Sequence, residues 1–203
     1  MEPKSHGRKP AEVRKFEILY AARELFCERG YHRVSMEDVA SKVGISKAAI
    51  YLYFKSKLEL FFGVIDQAVD KLIFGLEEAF SHSSHTGLQE KLDAAQGAFQ
   101  DYAPIFRASQ QLMATGMPDT DFPPQMVAAF MKKMHSRRGK MMELFINLFT
   151  EAQQKGEVRS DLDVAELATV FGVYGMLMTR SEVSYETAKE ILFHGILAKE
   201  DRQ

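Results

Sequence analysis

Apolar residues recur at three- and four-residue intervals almost throughout the chain, and no alternating run of Val, Ile and Thr between hairpin turns interrupts them. The pattern predicts an all-α fold. Residues 1–10 are polar, hold Gly7 and Pro10, and read as a loose arm. From Ala11 a first helix places Phe16, Leu19, Ala22, Leu25 and Phe26 on one stripe, and Gly30 stops it. Ser35 then stands as an N-cap before Met36, Glu37 and Asp38, whose acids suit the positive end of a helix dipole, so a short second helix is expected over 36–42. Gly44 breaks it, and Ser46 caps a third helix from Lys47 to about Tyr53.

Ser56 opens a long connecting helix through Leu58, Phe61, Phe62, Ile65, Ala68, Val69 and Leu72 to about Phe80, where a polar loop follows. Further helices are expected over 88–103, 104–115, 124–155, 163–179 and 184–197. Pro104 should end the helix before it, three prolines fall within 116–124, and Lys155-Gly156 precedes a turn ending in the cap Asp163. The chain thus divides into an arm (1–10), a three-helix head (11–55) and a helical body (56–203).

With 203 residues, 46% of them hydrophobic, the chain can bury one or two proper cores. Cys27 is the only cysteine, which excludes an intrachain disulfide framework, and no secretory leader pattern opens the sequence, so a cytoplasmic protein is expected. The apolar run 58–65 is interrupted by Glu59 and Gly63, far short of the roughly 20 residues of a membrane helix. No membrane partner is expected.

Charge changes the picture more. The formal net charge is −2, but residues 1–57 carry 12 Lys and Arg against 7 Asp and Glu, leaving 14 against 21 for the remainder. A basic head on an acidic body is the footprint of phosphate contact, since cations that neutralise phosphates release condensed counterions; a merely solvated basic face would give the same count. A helix-turn-helix accounts for the head more fully. It needs a small side chain where its two helices cross, a turn residue tolerant of positive φ, and apolar pins. Ala40, then Gly44 four positions later, then Val39, Val43, Ile45 and Ile50 supply them.

The stretch from Gly30 through Tyr31, His32, Arg33, Val34, Ser35, Met36, Glu37, Asp38 and Val39 to Ala40 resembles the DNA-binding domain of the TetR family. So do Val43-Gly44-Ile45-Ser46-Lys47 and Ile50-Tyr51-Leu52-Tyr53-Phe54-Lys55-Ser56-Lys57. The resemblance is strong over 11–66; the body is similar to that family only in length, helical content and a late Gly-rich helix. It implies a third helix lying in the major groove with its N-terminal residues toward base edges. Lys47 can then donate to guanine O6 or N7, or else hold a phosphate, and Ala48 and Ala49 can touch a thymine methyl or permit close approach. Tyr51 and Tyr53 match positions that touch DNA in family members, although Tyr51 could equally pack in the small core. Ser35 and Ser46 cap their helices and can donate to phosphate, and Lys57 would meet the same backbone. Family members usually carry Gly or Pro followed by Thr or Ser where this chain has Ala48 and Ala49, so hydroxyl readout is missing.

One short reading helix needs a second copy about 34–36 Å away, so a homodimer on double-stranded palindromic DNA is expected. The resemblance implies that the last two helices build a four-helix interface, with Leu167, Val170, Phe171, Tyr174, Gly175 and Met178 on one and Ala188, Ile191, Leu192 and Gly195 on the other. In the body, Phe99, Tyr102, Phe106, Met113, Phe130, Met134, Phe149 and Tyr174 could line a pliable pocket for a small lipophilic effector, or be ordinary core.

Enzymatic readings find no Gly-rich phosphate loop, serine elbow or partnered Cys–His pair, so no catalytic residue and no cofactor are expected. His82 and His85 have an H-x-x-H spacing without a clear third ligand, and no metal site is expected; Cys27 reads as a partly buried, inert thiol. The expected function is a dimeric repressor released from a palindromic operator by an effector. The alternatives are an effector-independent regulator, or a helical small-molecule-binding protein with an incidental basic head.

Overall fold

The computed structural model describes residues 10–81, 87–116 and 123–177, with 187, 190 and 194. Among the described residues it is all-α, with no β-strand, and comprises α1 (Ala11–Arg29), α2 (Met36–Val43), α3 (Lys47–Ile50), α4 (Lys57–Ser81), α5 (Leu88–Thr115), α6 (Pro124–Gln154) and α7 (Val164–Leu177). No helix among them is long and apolar enough to cross a membrane. The helix expected over 184–197 and the His82–His85 pair lie outside the described residues, apart from the isolated positions named above.

The chain forms two compact units. One comprises the described residues within Met1–Asp66 and Ala108–Asp121, the other those within Gln67–Arg107 and Phe122–Gln203. The first is discontinuous in sequence: besides the 11–55 head it takes in the start of α4 and about two turns at the end of α5. Its core is built from Ile18, Ala22, Leu25 and Phe26 of α1, Val39 of α2, Ile50, Phe54 and Phe61, all at most 3% exposed. Phe26 meets Phe61 edge-on at 4.9 Å between ring centroids, and Tyr31 meets Phe61 at 5.1 Å, geometries that aromatic quadrupoles favour. Gly63 allows α4 to pass here, since a Cβ on it would lie 3.0 Å from Leu19 Cδ2 and 3.2 Å from Phe54 Cε1.

In the second unit Phe145 is the hub of a ring cluster, with Phe80, Phe99 and Phe149 around it and Phe171 of α7 against Phe149 at 4.9 Å. Exposed ion pairs cross between helices. The Arg137 guanidinium grips both Asp70 oxygens at 2.8 and 2.7 Å, while Lys140 pairs with Glu77 and Lys71 with Asp101. Within this unit α4 and α5 pack almost backbone to backbone at Gly75, where a Cβ would stand 2.7 Å from Ala98 Cβ.

Two sequence expectations are corrected. Phe16 does not join the inward stripe of α1; it is 59% exposed. Buried Ile18, Leu19, Ala21, Ala22, Leu25 and Phe26 centre on a direction from which Phe16 lies roughly 135° away at 100° per residue. Pro104, expected to separate two helices, sits inside a single α5. What changes at Pro104 is the phase of the apolar stripe. Leu88, Leu92, Ala95 and Phe99 are buried on one side, whereas buried Ala108 and Leu112 lie roughly 140–180° around the helix from Phe99. Burial on both sides of the proline outweighs the local cost of about 3 kcal/mol.

Candidate nucleic-acid interface

The helix-turn-helix forms as its local chemistry dictates. Ser35 and Asp38 make a reciprocal capping box: the Asp38 N–H donates to Ser35 Oγ at 3.1 Å, and the Ser35 N–H and hydroxyl donate to Asp38 Oδ2 at 2.8 and 2.6 Å. These bonds hold the Asp38 carboxyl below the usual carboxylate range. Gly44 ends α2 in the left-handed region at φ 75°, ψ 37°, and Ile45 N–H returns to Ala40 O at 3.0 Å. Ala40, 2% exposed, is the small residue at the crossing; Val39 and Ile50 are fully buried pins, and Val43 and Ile45 are half-buried. Ser46 Oγ accepts from Ala49 N–H at 3.2 Å and so caps α3, leaving its own hydroxyl hydrogen available.

The third helix is shorter than the sequence pattern suggests. It ends at Ile50, and residues 51–53 continue as a turn. Lys47 and Ala48 are exposed and Ala49 is half-buried, so the N-terminal end of α3 presents a smooth surface beside one ammonium. Tyr51 is 39% exposed, not packed in the core, and Tyr53 is half-buried. The Lys55 ammonium donates to Tyr51 O at 3.2 Å and steadies that turn.

Ser35 and Lys57 are tied into the protein in ways their sequence positions did not reveal. The Ser35 hydroxyl hydrogen is donated to Asp38 rather than left for a phosphate. Lys57 is turned toward the loop between α1 and α2: its ammonium donates to Tyr31 O at 3.1 Å and lies 4.3 Å from the Tyr31 ring centroid. Partial burial lowers its pKa, and burial pushes the Tyr31 phenol up to about 12. Two exposed residues at the same end of the unit escaped the sequence reading. Glu37 Oε2 receives the Lys47 ammonium at 3.1 Å, which raises the lysine's pKa, and Leu52 is 72% exposed. Glu37 had a signal, an acid in the first turn of α2, that helix-dipole chemistry alone explained.

The candidate effector residues are brought together only in part. Phe99, Tyr102 and Phe149 are buried in the second unit, and Phe106 lies against Tyr102 at 5.7 Å; burial pushes the Tyr102 phenol up to about 12. Phe130 and Met134 are half-buried on α6. Met113 is 52% exposed and belongs to the first unit. Of the candidate dimer residues, Leu167 and Phe171 are buried and Val170 is 48% exposed. Tyr174 and Gly175 fall within α7, but their side-chain surroundings lie outside the described residues, as do Met178, Ala188, Ile191, Leu192 and Gly195 altogether.

Comparison with known proteins gives this geometry its context. Residues 18–64, from α1 into α4, match the family model of bacterial regulatory proteins, tetR family. The chain is 39% identical over 96 residues to the HTH-type transcriptional activator FasR of Mycolicibacterium smegmatis, a match spanning 47% of this chain and 43% of FasR. It is 30% identical over 157 residues to the HTH-type transcriptional regulator UidR of Escherichia coli, spanning 76% of this chain and 74% of UidR. Among solved structures, the TetR family transcriptional regulator PfmR from Thermus thermophilus superposes with a TM-score of 0.66 at 24% identity, covering 90% of this chain and 98% of that one, a likeness of fold. With its capped helix-turn-helix and its match along most of UidR, the chain belongs to the tetR family of bacterial regulatory proteins and is a DNA-binding transcriptional regulator.

Proposed function

We propose that the chain is a cytoplasmic repressor that binds a palindromic operator as a homodimer and leaves it when a small lipophilic molecule binds the body. In this reading 11–55 form the reading head and 56–203 bind effector and partner subunit. The observation that carries the DNA-binding part is the exposed N-terminal end of α3, where Lys47 stands beside the small Ala48 and Ala49, with Ser46 and the phenols of Tyr51 and Tyr53 at its flanks. Lys47 contacts a base edge, the alanines admit a thymine methyl, and the tyrosines and Ser46 hold phosphates.

Dimerisation through α7 is supported by its outward face. Val170 and Val173 are 48% and 47% exposed, apolar side chains that a second subunit would cover. Effector binding is supported by the concentration of aromatic side chains around Phe145, with Tyr102 and Phe106 on α5.

Gel shifts on the DNA upstream of the chain's own gene test the reading. Binding should fall steeply with salt, with a log–log slope of about −0.9 per phosphate neutralised, and footprints should come in two half-sites. Salt-insensitive or absent binding to any duplex refutes it. A second reading, activation instead of repression, is favoured by the similarity to FasR, a transcriptional activator; transcription of the neighbouring gene with and without the regulator decides the sign.

A further inference from the structure

The residue that Lys47 pairs with changes what the reading end can recognise. Glu37, at the start of α2, and Lys47, at the start of α3, come from opposite sides of the Gly44 turn, yet Lys47 Nζ stands 3.1 Å from Glu37 Oε2. Both side chains remain well exposed, 60% for Lys47 and 65% for Glu37. A carboxylate facing a polyanion is repelled by every phosphate, so at this position Glu37 weakens binding unless it finds a hydrogen-bond donor on the DNA. The major groove offers two such donors, the N4 amino group of cytosine and the N6 amino group of adenine, each paired with a carbonyl acceptor on the partner base, guanine O6 or thymine O4.

The spacing fits the carbonyl and amino group that a base pair presents side by side, O6 and N4 in G·C or O4 and N6 in T·A. In a G·C pair N4 and O6 are hydrogen-bonded to each other at about 2.9 Å, and the second N4 hydrogen faces the groove. The Lys47–Glu37 separation of 3.1 Å is nearly the same, with donor and acceptor in the complementary order. Lysine alone distinguishes bases weakly, because a rotating ammonium donates to any nearby acceptor, guanine O6 and N7, adenine N7 or thymine O4. A neighbouring acceptor that demands an amino group across the pair selects G·C and T·A, where carbonyl and amino group stand in this order, against C·G and A·T, where they are exchanged. The ion pair also holds Lys47 in place before DNA arrives, so less side-chain freedom is lost on binding.

We infer that Glu37 is a specificity-determining residue that reads DNA jointly with Lys47, the pair recognising one base pair in each half-site by its order of carbonyl and amino group, Lys47 donating to guanine O6 or thymine O4 and Glu37 accepting from cytosine N4 or adenine N6. This rests on the DNA-binding reading above. The test selects binding sites from a randomised duplex library with the full-length protein and with E37A, E37Q and K47A, followed by affinity measurements on the enriched sequence and its single-position variants. Wild type should require guanine or thymine on one strand at one position of each half-site, and E37A should lose about five- to tenfold of that preference over the exchanged pairs C·G and A·T while the other positions stay intact. K47A should flatten the same position. E37Q, which keeps an acceptor oxygen but loses the charge, should retain most of the preference. Unchanged base preference in E37A, identical behaviour of E37Q and E37A, or effects of E37A and K47A at different positions overturns the inference while leaving the proposed function standing. Failure of the wild-type protein to enrich any sequence refutes the proposed function and this inference with it.

Discussion

At the α4–α5 crossing, Gly75 leaves no room for a side chain. A Cβ placed there would be 2.7 Å from Ala98 Cβ, whereas non-bonded carbons rest about 3.5–4.0 Å apart, so Gly75→Ala pushes the two helices apart by about 1 Å. Neither carbon ends a flexible side chain that could swing away. Overpacking of this kind costs about 1–3 kcal/mol, and replacing a helical Gly by Ala returns about 1 kcal/mol, so the net loss is about 0–2 kcal/mol. That single number is ambiguous, but the double-mutant cycle is not. Ala98→Gly alone should cost about 1 kcal/mol in propensity, while G75A/A98G exchanges the two side chains, removes the clash and should lie near wild type. The coupling energy is then about −1 to −3 kcal/mol, well beyond the few tenths expected of independent sites. Chemical denaturation of the four proteins at one fixed concentration, necessary if subunit association contributes, measures it. Additive effects would mean that α4 and α5 do not approach at these residues.

The remaining predictions concern other parts of the molecule. Lys47→Ala should weaken operator binding about 5- to 150-fold with loss of base preference at one position; a uniform loss over all sequences would assign Lys47 to phosphate. Gly44→Ala meets no neighbour within 4 Å but must adopt φ +75°, so it should cost about 1–2 kcal/mol by denaturation, a cost that Gly44→Asn reduces. The Glu151 carboxyl is held below its ordinary value of 4.5 by hydrogen bonds from Lys155 and from buried Lys91. Its folded pKa being depressed, its contribution is present above pH 4.5 and lost as pH falls through the folded value; Glu151→Gln should flatten that part of the acid unfolding curve. Tyr31 and Tyr102, raised to about 12, should ionise late in an ultraviolet titration, and Tyr31→Phe and Tyr102→Phe should each remove part of that late phase. Because their folded pKa values lie above the ordinary 10, stability falls as pH rises from 10 toward 12, and Tyr31→Phe should lessen that fall.

Caps and turns were legible in the sequence because their chemistry is local. Ser35, Ser46, Ser56 and Asp163 each accept the backbone N–H three residues on, and Gly30 and Gly44 take the positive φ that ends a helix. The helix-turn-helix followed from those residues together with Ala40. Three features were not legible, each for a different reason. Phe16 is apolar and three residues from Leu19, yet a stripe's direction depends on all its members, and the others point elsewhere. At Pro104 the change in apolar phase and the proline together imitate a helix boundary; only burial on both sides distinguishes one long helix from two short ones. Lys57 and Glu37 have the charges of any surface residue, and their partners, Tyr31 O and the Lys47 ammonium, are distant in sequence or across a turn.

The discontinuity of the first unit bears on how the protein is made. Its N-terminal part, through Asp66, leaves the ribosome well before 108–116, which supply Leu112, 1% exposed, and bring Gln111 to Gly30 and Thr115 to within 2.8 Å of His32. At about 5–20 residues per second the missing helical turns arrive about two to eight seconds later, and during that interval the apolar surface they cover stays open to water, chaperones or a neighbouring chain. For the same reason the head is not a cassette that can be cut at residue 66 and grafted onto another body: a transplant must carry the last turns of α5, or find a substitute for Leu112.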